Sequence, residues 1–163
     1  VNLKDLVKFK DFLKTKKIKF FIANNIKLSI QLNLDGAYIP AFNKKISVNC
    51  FSRKKNFLLL GSAHSFKEII IKEKQGVKII FLSPLFKTYK SNNYLDVNKF
   101  NILTRKIRKT FVALGGINQL NFKKLFLLKI YGFASISFFK KIDKMTLNKL
   151  ITKHKNYISH RTN

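Results

Sequence analysis

The run TFVALGGI, Thr110–Ile117, is followed directly by NQLNF at residues 118–122. Apolar, β-favouring residues end in twin glycines, and a polar helix start comes next. A strand that stops in this way has two readings. Glycine tolerates backbone angles closed to other residues, so Gly115–Gly116 reads as a tight turn. Glycines at a strand end also let an anion approach the N–H groups of a following helix N-terminus. On this stretch alone the turn is the simpler reading, because short glycine patterns are common by chance.

Outward from that stretch, strand and helix signals alternate. Toward the C-terminus, Asn118 can cap a helix to about Lys129, GFASISF (Gly132–Phe138) reads as a strand, and a basic helix follows. Toward the N-terminus, Asp96 can cap a helix through about Arg108, and VKIIFLS (Val77–Ser83) is a strand that Pro84 ends. Ser65 and Glu68 have capping-box spacing, and Gly76 sits where a helix-ending glycine belongs. NFLLLGS (Asn56–Ser62), DGAYIP (Asp35–Pro40) and IKFFIA (Ile18–Ala23) read as strands. Periodicity leaves Asn25–Asn33 open, and its place between strands favours helix. Ala41–Lys55 shows no clear element. Leu3, Leu6, Val7, Phe9 and Leu13 follow helical spacing.

The strands are continuous apolar runs, as in a parallel sheet buried on both faces. About six of them alternate with helices in an α/β chain. An open doubly wound sheet and a β/α barrel missing strands both fit.

The 163 residues, 46% of them hydrophobic, suit one domain over residues 1–163 and exclude a disordered chain. No run is long enough to span a membrane, and the first residues lack a signal-peptide core. A cytoplasmic protein is therefore expected. The single cysteine, Cys50, excludes an internal disulfide and a cysteine-rich zinc site. The chain begins without Met, as a fragment or a processed protein would. The net charge of +27 invites a nucleic-acid partner. Against that, the lysines are spread throughout, arginine is scarce, and the joint excess of Lys, Asn, Ile and Phe looks like A/T-rich coding. A basic nucleic-acid-binding module stays as an alternative.

In parallel α/β folds chemistry collects at the carboxyl ends of strands. Here those ends carry mainly small residues, amides, hydroxyls and glycines: Asn24 and Asn25, Tyr38 through Asn43, Ser62 and His64, Ser83 through Lys90 with Thr88 among them, Gly115 and Gly116, and Ser135 and Ser137. Carboxylates are absent from the set. Ser62 and His64 are a weak nucleophile–base pair with no acid in view, and turn or cap roles are simpler. Thr88 and Lys90 suit anion gripping or a solvated loop.

Read in order, these strand ends resemble the thiamine phosphate synthase/TenI family, whose fold is a β/α barrel. LNLDGAYIP keeps Asp35 and Gly36 of an Asp-Gly-Val-His pattern, with Tyr38 in the His position. LLGSAHSFKE resembles the Ser-x-His segment through Ser62 and His64. FLSPLFKT keeps Pro84, Phe86 and Thr88 of a Gly-Pro-x-Phe-x-Thr loop. VALGGIN matches Val-Ala-x-Gly-Gly-Ile, and GFASIS matches the last strand through Gly132, Ala134 and Ser137.

The resemblance implies a partial TIM-type barrel whose first strands, with a Gln-x-Arg diphosphate contact, would lie before Val1. It implies phosphate binding by backbone N–H groups at Gly115–Gly116 and Ile136–Ser137, with a phosphorylated thiazole as ligand. Catalytic candidates are His64 and Ser62, and substrate-binding candidates are Asn24, Asn43, Thr88 and Lys90. The family's diphosphate chemistry uses Mg2+ held by carboxylates. Asn24 and Asn43 stand at the two metal-associated Asp positions, so no metal ligand and no cofactor is assigned. Ser91 replaces a family lysine, beside Lys90. Expected activities are a thiamine phosphate synthase-like transferase or a TenI-like thiazole tautomerase, in thiamine biosynthesis or salvage. A non-enzymatic phosphate-binding relative is the alternative. Unpaired edges of a partial barrel would favour a homo-oligomer.

Overall fold

The computed structural model describes residues 2–89, 91–136, 138, 139 and 145. Helix α1 (Leu3–Thr15) leads into β1 (Phe21–Ala23), α2 (Ile26–Gln31) and β2 (Gly36–Ile39). A 3₁₀ helix (Ile46–Arg53) precedes β3 (Leu58–Ala63), α3 (Phe66–Lys74), β4 (Ile79–Leu82), α4 (Asp96–Thr104) and β5 (Thr110–Leu114). A second 3₁₀ helix (Phe122–Leu127) leads to β6 (Gly132–Ala134).

The six strands form one sheet in the order β1-β2-β3-β4-β5-β6, and every pairing is parallel. This order decides between the two architectures that strand patterning left open, in favour of the barrel that the resemblance implied. A doubly wound sheet reverses strand order at a switch point, whereas a β/α barrel adds each strand beside the last. The chain is therefore an arc of a TIM-type barrel, with β1 and β6 as its edges among the described residues.

Strand alternation explains the continuous apolar runs. Ala37, Ile39, Leu59, Ala63, Ile80 and Leu82 have no exposed surface and join the core beneath the helices. Their neighbours Tyr38, Leu58, Leu60, Ile79 and Phe81 are half-buried and form the opposite face of the sheet. There Tyr38 and Phe81 meet edge to face at 5.9 Å. Asp35 and Gly36 have local reasons. The Asp35 carboxylate accepts the Phe20 N–H at 2.9 Å, tying β1 to β2. A Cβ on Gly36 would strike the Leu58 carbonyl.

The α3 capping signal is realised with a shift. Ser65 Oγ accepts the Glu68 N–H at 3.3 Å, and the Glu68 carboxylate accepts the His64 N–H, not that of Ser65, at 2.7 Å. Such a cap contributes about 1 kcal/mol.

Other boundaries differ from the sequence reading. Ala41–Lys55 contains a 3₁₀ helix where no element was expected. Helix α4 stops at Thr104, whose hydroxyl donates back to the Phe100 carbonyl at 3.0 Å. Asp96 does not cap it: the residue has φ +56° and its carboxylate accepts the Val97 N–H. The expected helix at 118–129 is a 3₁₀ helix from Phe122, because Asn118 and Asn121 divert the first N–H groups to side-chain oxygens. Strand β6 ends at Ala134 rather than Phe138, because Ser135 Oγ turns to the Ile117 carbonyl at 2.9 Å and accepts the Phe138 N–H. The expected basic C-terminal helix lies largely outside the described residues. No helix among those described is long and apolar enough to cross a membrane.

Candidate functional site

The carboxyl ends of the six strands bring those sequence-flagged residues that are described to one rim. Asn24, just past β1, has φ +57°, a conformation that Asn adopts more readily than most residues. Its N–H donates to the Tyr38 carbonyl at 2.8 Å. Its side-chain oxygen accepts Asn43 Nδ2 at 2.7 Å across 19 residues of chain. The two residues that the resemblance sets at metal-associated Asp positions therefore touch.

Their chemistry does not suit Mg2+. Asn24 Oδ1 is engaged by Asn43, and Asn43 Oδ1 accepts the Lys45 N–H at 3.0 Å. Neither amide brings negative charge, and Mg2+ sites normally use one or two carboxylates. Among the described residues no three of His, Cys, Asp or Glu cluster as metal ligands.

Ser62 and His64 do not bond to each other. Ser62 is buried, and its hydroxyl accepts the Ala41 N–H at 3.0 Å, holding the loop after β2. His64 lies exposed beyond β3, with Nδ1 2.9 Å from the Ser83 carbonyl oxygen and 3.1 Å from Ser83 Oγ. The hydroxyl beside His64 is thus Ser83, from the end of β4. Sequence spacing could not find it, because the pair is joined by strand adjacency.

The twin glycines have a structural reason. Both have positive φ, +93° for Gly115 and +69° for Gly116. The loop after β4 lies on them: Leu85 N–H donates to the Leu114 carbonyl at 2.8 Å and Phe86 N–H to the Gly115 carbonyl at 3.1 Å. A Cβ on Gly115 would come within 2.9 Å of Pro84, and one on Gly116 would strike the carbonyl oxygens of Phe86 and Lys87. Tight packing of this loop accounts for both glycines without a ligand.

The polar turn after them is partly self-satisfied. Asn118 Oδ1 accepts the N–H groups of Leu120 and Asn121, and Asn121 Oδ1 accepts that of Asn118. The N–H groups of Gly116 and Ile117 find no acceptor among the described residues. Ser135 Oγ on the Ile117 carbonyl draws the ends of β5 and β6 together, which places Ile136, 76% exposed, near this turn. Thr88 Oγ1 accepts the Ser91 N–H at 3.2 Å and so closes the loop after β4. Lys90 and Ser137 lie outside the described residues.

Sequence reasoning passed over Lys72 and Gln75, which are polar yet have no exposed surface. Their signal was present: Lys72 lies three residues after the buried Ile69, on the core face of α3. Burial pushes the Lys72 ammonium down to about 8, with the Glu68 carboxylate acting in the opposite direction. A cavity of about 1110 Å³ lies at the other end of the strands, between Lys78, Asn101, Arg105, Arg108, Lys109 and Lys129, and holds none of the flagged residues.

Comparison with known proteins gives one family. Residues 2–139 match the family described as thiamine monophosphate synthase. The candidate thiamine-phosphate synthase 2 of Aquifex aeolicus (strain VF5) is 32% identical over 129 residues, 77% of this chain and 69% of that protein. The thiamine-phosphate synthase of Clostridium acetobutylicum is 23% identical, over 80% of this chain and 63% of its own length. That of Clostridioides difficile (strain 630) is 25% identical, over 89% and 73%. Among solved structures, a thiamine phosphate pyrophosphorylase from Pyrococcus furiosus superposes with a TM-score of 0.67 at 18% identity, over 84% of this chain and 68% of that one. A native KDPGal structure follows at a TM-score of 0.61 and 11% identity. The structural likenesses show the fold.

Proposed function

The chain belongs to the thiamine monophosphate synthase family, and from that premise we propose that it binds a thiazole phosphate without the family's Mg2+-dependent diphosphate chemistry. The phosphate sits at the ends of β5 and β6, and the proton chemistry, where there is any, is that of a TenI-like tautomerase. The observation that carries this reading is the turn at Gly116–Ile117. Two N–H groups there find no acceptor among the described residues, and an unpaired backbone N–H is costly when buried. A phosphate oxygen would satisfy them.

The Asn24–Asn43 pair favours tautomer chemistry over synthase chemistry. Diphosphate departure needs its charge neutralised, and fixed metal does this best because electrostatic catalysis depends on preorganisation. Two amides bonded to each other hold no such metal. They can instead donate to, and accept from, a neutral ring. With Nδ1 against Ser83, His64 keeps Nε2 as the nitrogen that would carry a proton. Thr88 belongs to the same proposed rim as a loop contact, and Lys90, two residues on in the sequence, stays a candidate outside the described residues.

The test is a titration followed by backbone amide resonances. Thiazole phosphate should shift the Gly116 and Ile117 N–H signals saturably, and the same thiazole alcohol without phosphate should not. Equal shifts from both compounds, or none from either, would rule out the phosphate seat.

A further inference from the structure

Helix α3 packs on the outer side of β3, and its Lys72 stem lies over Gly61, where a Cβ would come within 3.0 Å of Lys72 Cδ. The ammonium then reaches the loop after β2. Lys72 Nζ donates to the Pro40 carbonyl, the Asn43 carbonyl and Gln75 Oε1, each at 2.8 Å. Gln75 Nε2 donates to the Asn43 carbonyl at 2.9 Å and to the Lys45 carbonyl at 3.1 Å. Among the described residues no carboxylate lies within ion-pair distance of Lys72.

A buried ammonium without an ionic partner is costly, and an apolar side chain of similar length would fill the same space. Here every hydrogen bond that the Lys72 and Gln75 side chains make to the backbone falls on residues 40–45. The same loop is held from the other side, where Ser62 Oγ accepts the Ala41 N–H. Within it the Asn43 N–H donates to the Pro40 carbonyl at 3.1 Å. The Asn43 side chain is what this loop delivers to the rim, at 2.7 Å from Asn24.

We propose that Lys72 and Gln75 are positioning residues, which clamp the Asn43 backbone from behind the sheet and so aim its amide at Asn24 and the ligand. The ligand part rests on the reading of Asn24 and Asn43 as substrate contacts given above; the clamp itself does not. Polar anchoring suits this task better than apolar packing. The loop offers carbonyl groups, and a fixed donor sets their position and direction where a methyl group would set only distance.

The experiment follows the Asn43 side-chain amide in the full chain by NMR, in Lys72→Met and separately in Gln75→Met. Gln75→Met removes the bonds to Asn43 and Lys45 while leaving the lysine charge, so it serves where Lys72→Met does not fold. The expected result is solvent exchange of the Asn43 Nδ2 protons at least tenfold faster, and affinity for thiazole phosphate about tenfold weaker. Asn43 signals unchanged in a folded variant would overturn the clamp, whatever happens to the unfolding midpoint. Faster exchange with unchanged affinity would uphold the clamp and instead refute Asn43 as a ligand contact.

Discussion

The double substitution Asn24→Asp with Asn43→Asp is expected to create a Mg2+ site and to make the stability of the chain depend on that ion. The two side chains stand 2.7 Å apart as donor and acceptor. As carboxylates neither can donate, so the hydrogen bond becomes a contact between like charges. Both positions have access to solvent, which tempers the repulsion. The loss in chelator should be about 1–2 kcal/mol, the cost of a broken hydrogen bond and facing charges. Two carboxylates on neighbouring strand ends are also what a hard divalent cation accepts. A Mg2+ concentration a hundredfold above the dissociation constant would return about 2.7 kcal/mol. Urea unfolding in chelator and in millimolar Mg2+ reads the effect. The unsubstituted chain should give the same midpoint in both, and it should form no thiamine phosphate from the pyrimidine diphosphate and thiazole phosphate at any Mg2+ concentration. Coincident midpoints for the double variant would mean that these positions do not form a metal-binding pair. Strong Mg2+-dependent turnover by the unsubstituted chain would refute the reading of its site as one that does without metal.

The second large effect is at Gly116. Gly116→Ala should cost about 3 kcal/mol, because it combines left-handed strain with a backbone collision. The residue has φ +69°, and its added Cβ would meet the carbonyls of Phe86 and Lys87. Those groups are main chain and cannot rotate away as a side chain would. Gly132→Ala is the control. Nothing lies within 4 Å of a Cβ built there, so the change should stay within about 0.5 kcal/mol. Chemical denaturation of both variants makes the comparison, and similar midpoints would remove the packing explanation of the twin glycines. The same geometry means that a bulky residue at Gly116 disturbs the loop after β4 before it tests any ligand. Amide shifts are for that reason the cleaner probe of the phosphate seat.

What the sequence determined by itself was local. The strands were legible because most are continuous apolar runs, and along β2, β4 and the first half of β3 buried residues alternate with half-buried ones on the other side of the sheet. Helix α3 was legible because Ser65 and Glu68 lie within one turn, and that cap is set by neighbours in the chain. Where short polar side chains compete for the backbone, local reading failed. Asn118 and Asn121 replaced an α-helix with a 3₁₀ turn, and Ser135 cut β6 short. The ordered motifs reached further, since the resemblance they carried named the family before any contact was known.

Tertiary structure alone decided the rest. Apolar runs do not encode which strands are neighbours, so barrel order reached the sequence reading only through the family resemblance, and the pairing is what bears it out. Contacts across strand ends follow from that order: Asn24 with Asn43, His64 with Ser83, Ser62 with Ala41. Each joins residues 19 to 21 apart, beyond the reach of any helical or strand period. The sharpest case is Lys72. In the sequence it is one cation among 34 Lys and Arg residues. In the fold it is fully buried, because Gly61 leaves room for its stem and the carbonyls of Pro40 and Asn43 receive its charge. The physical reason is that burial of a charge depends on partners brought together in space, and those partners lie about 30 residues away along the chain.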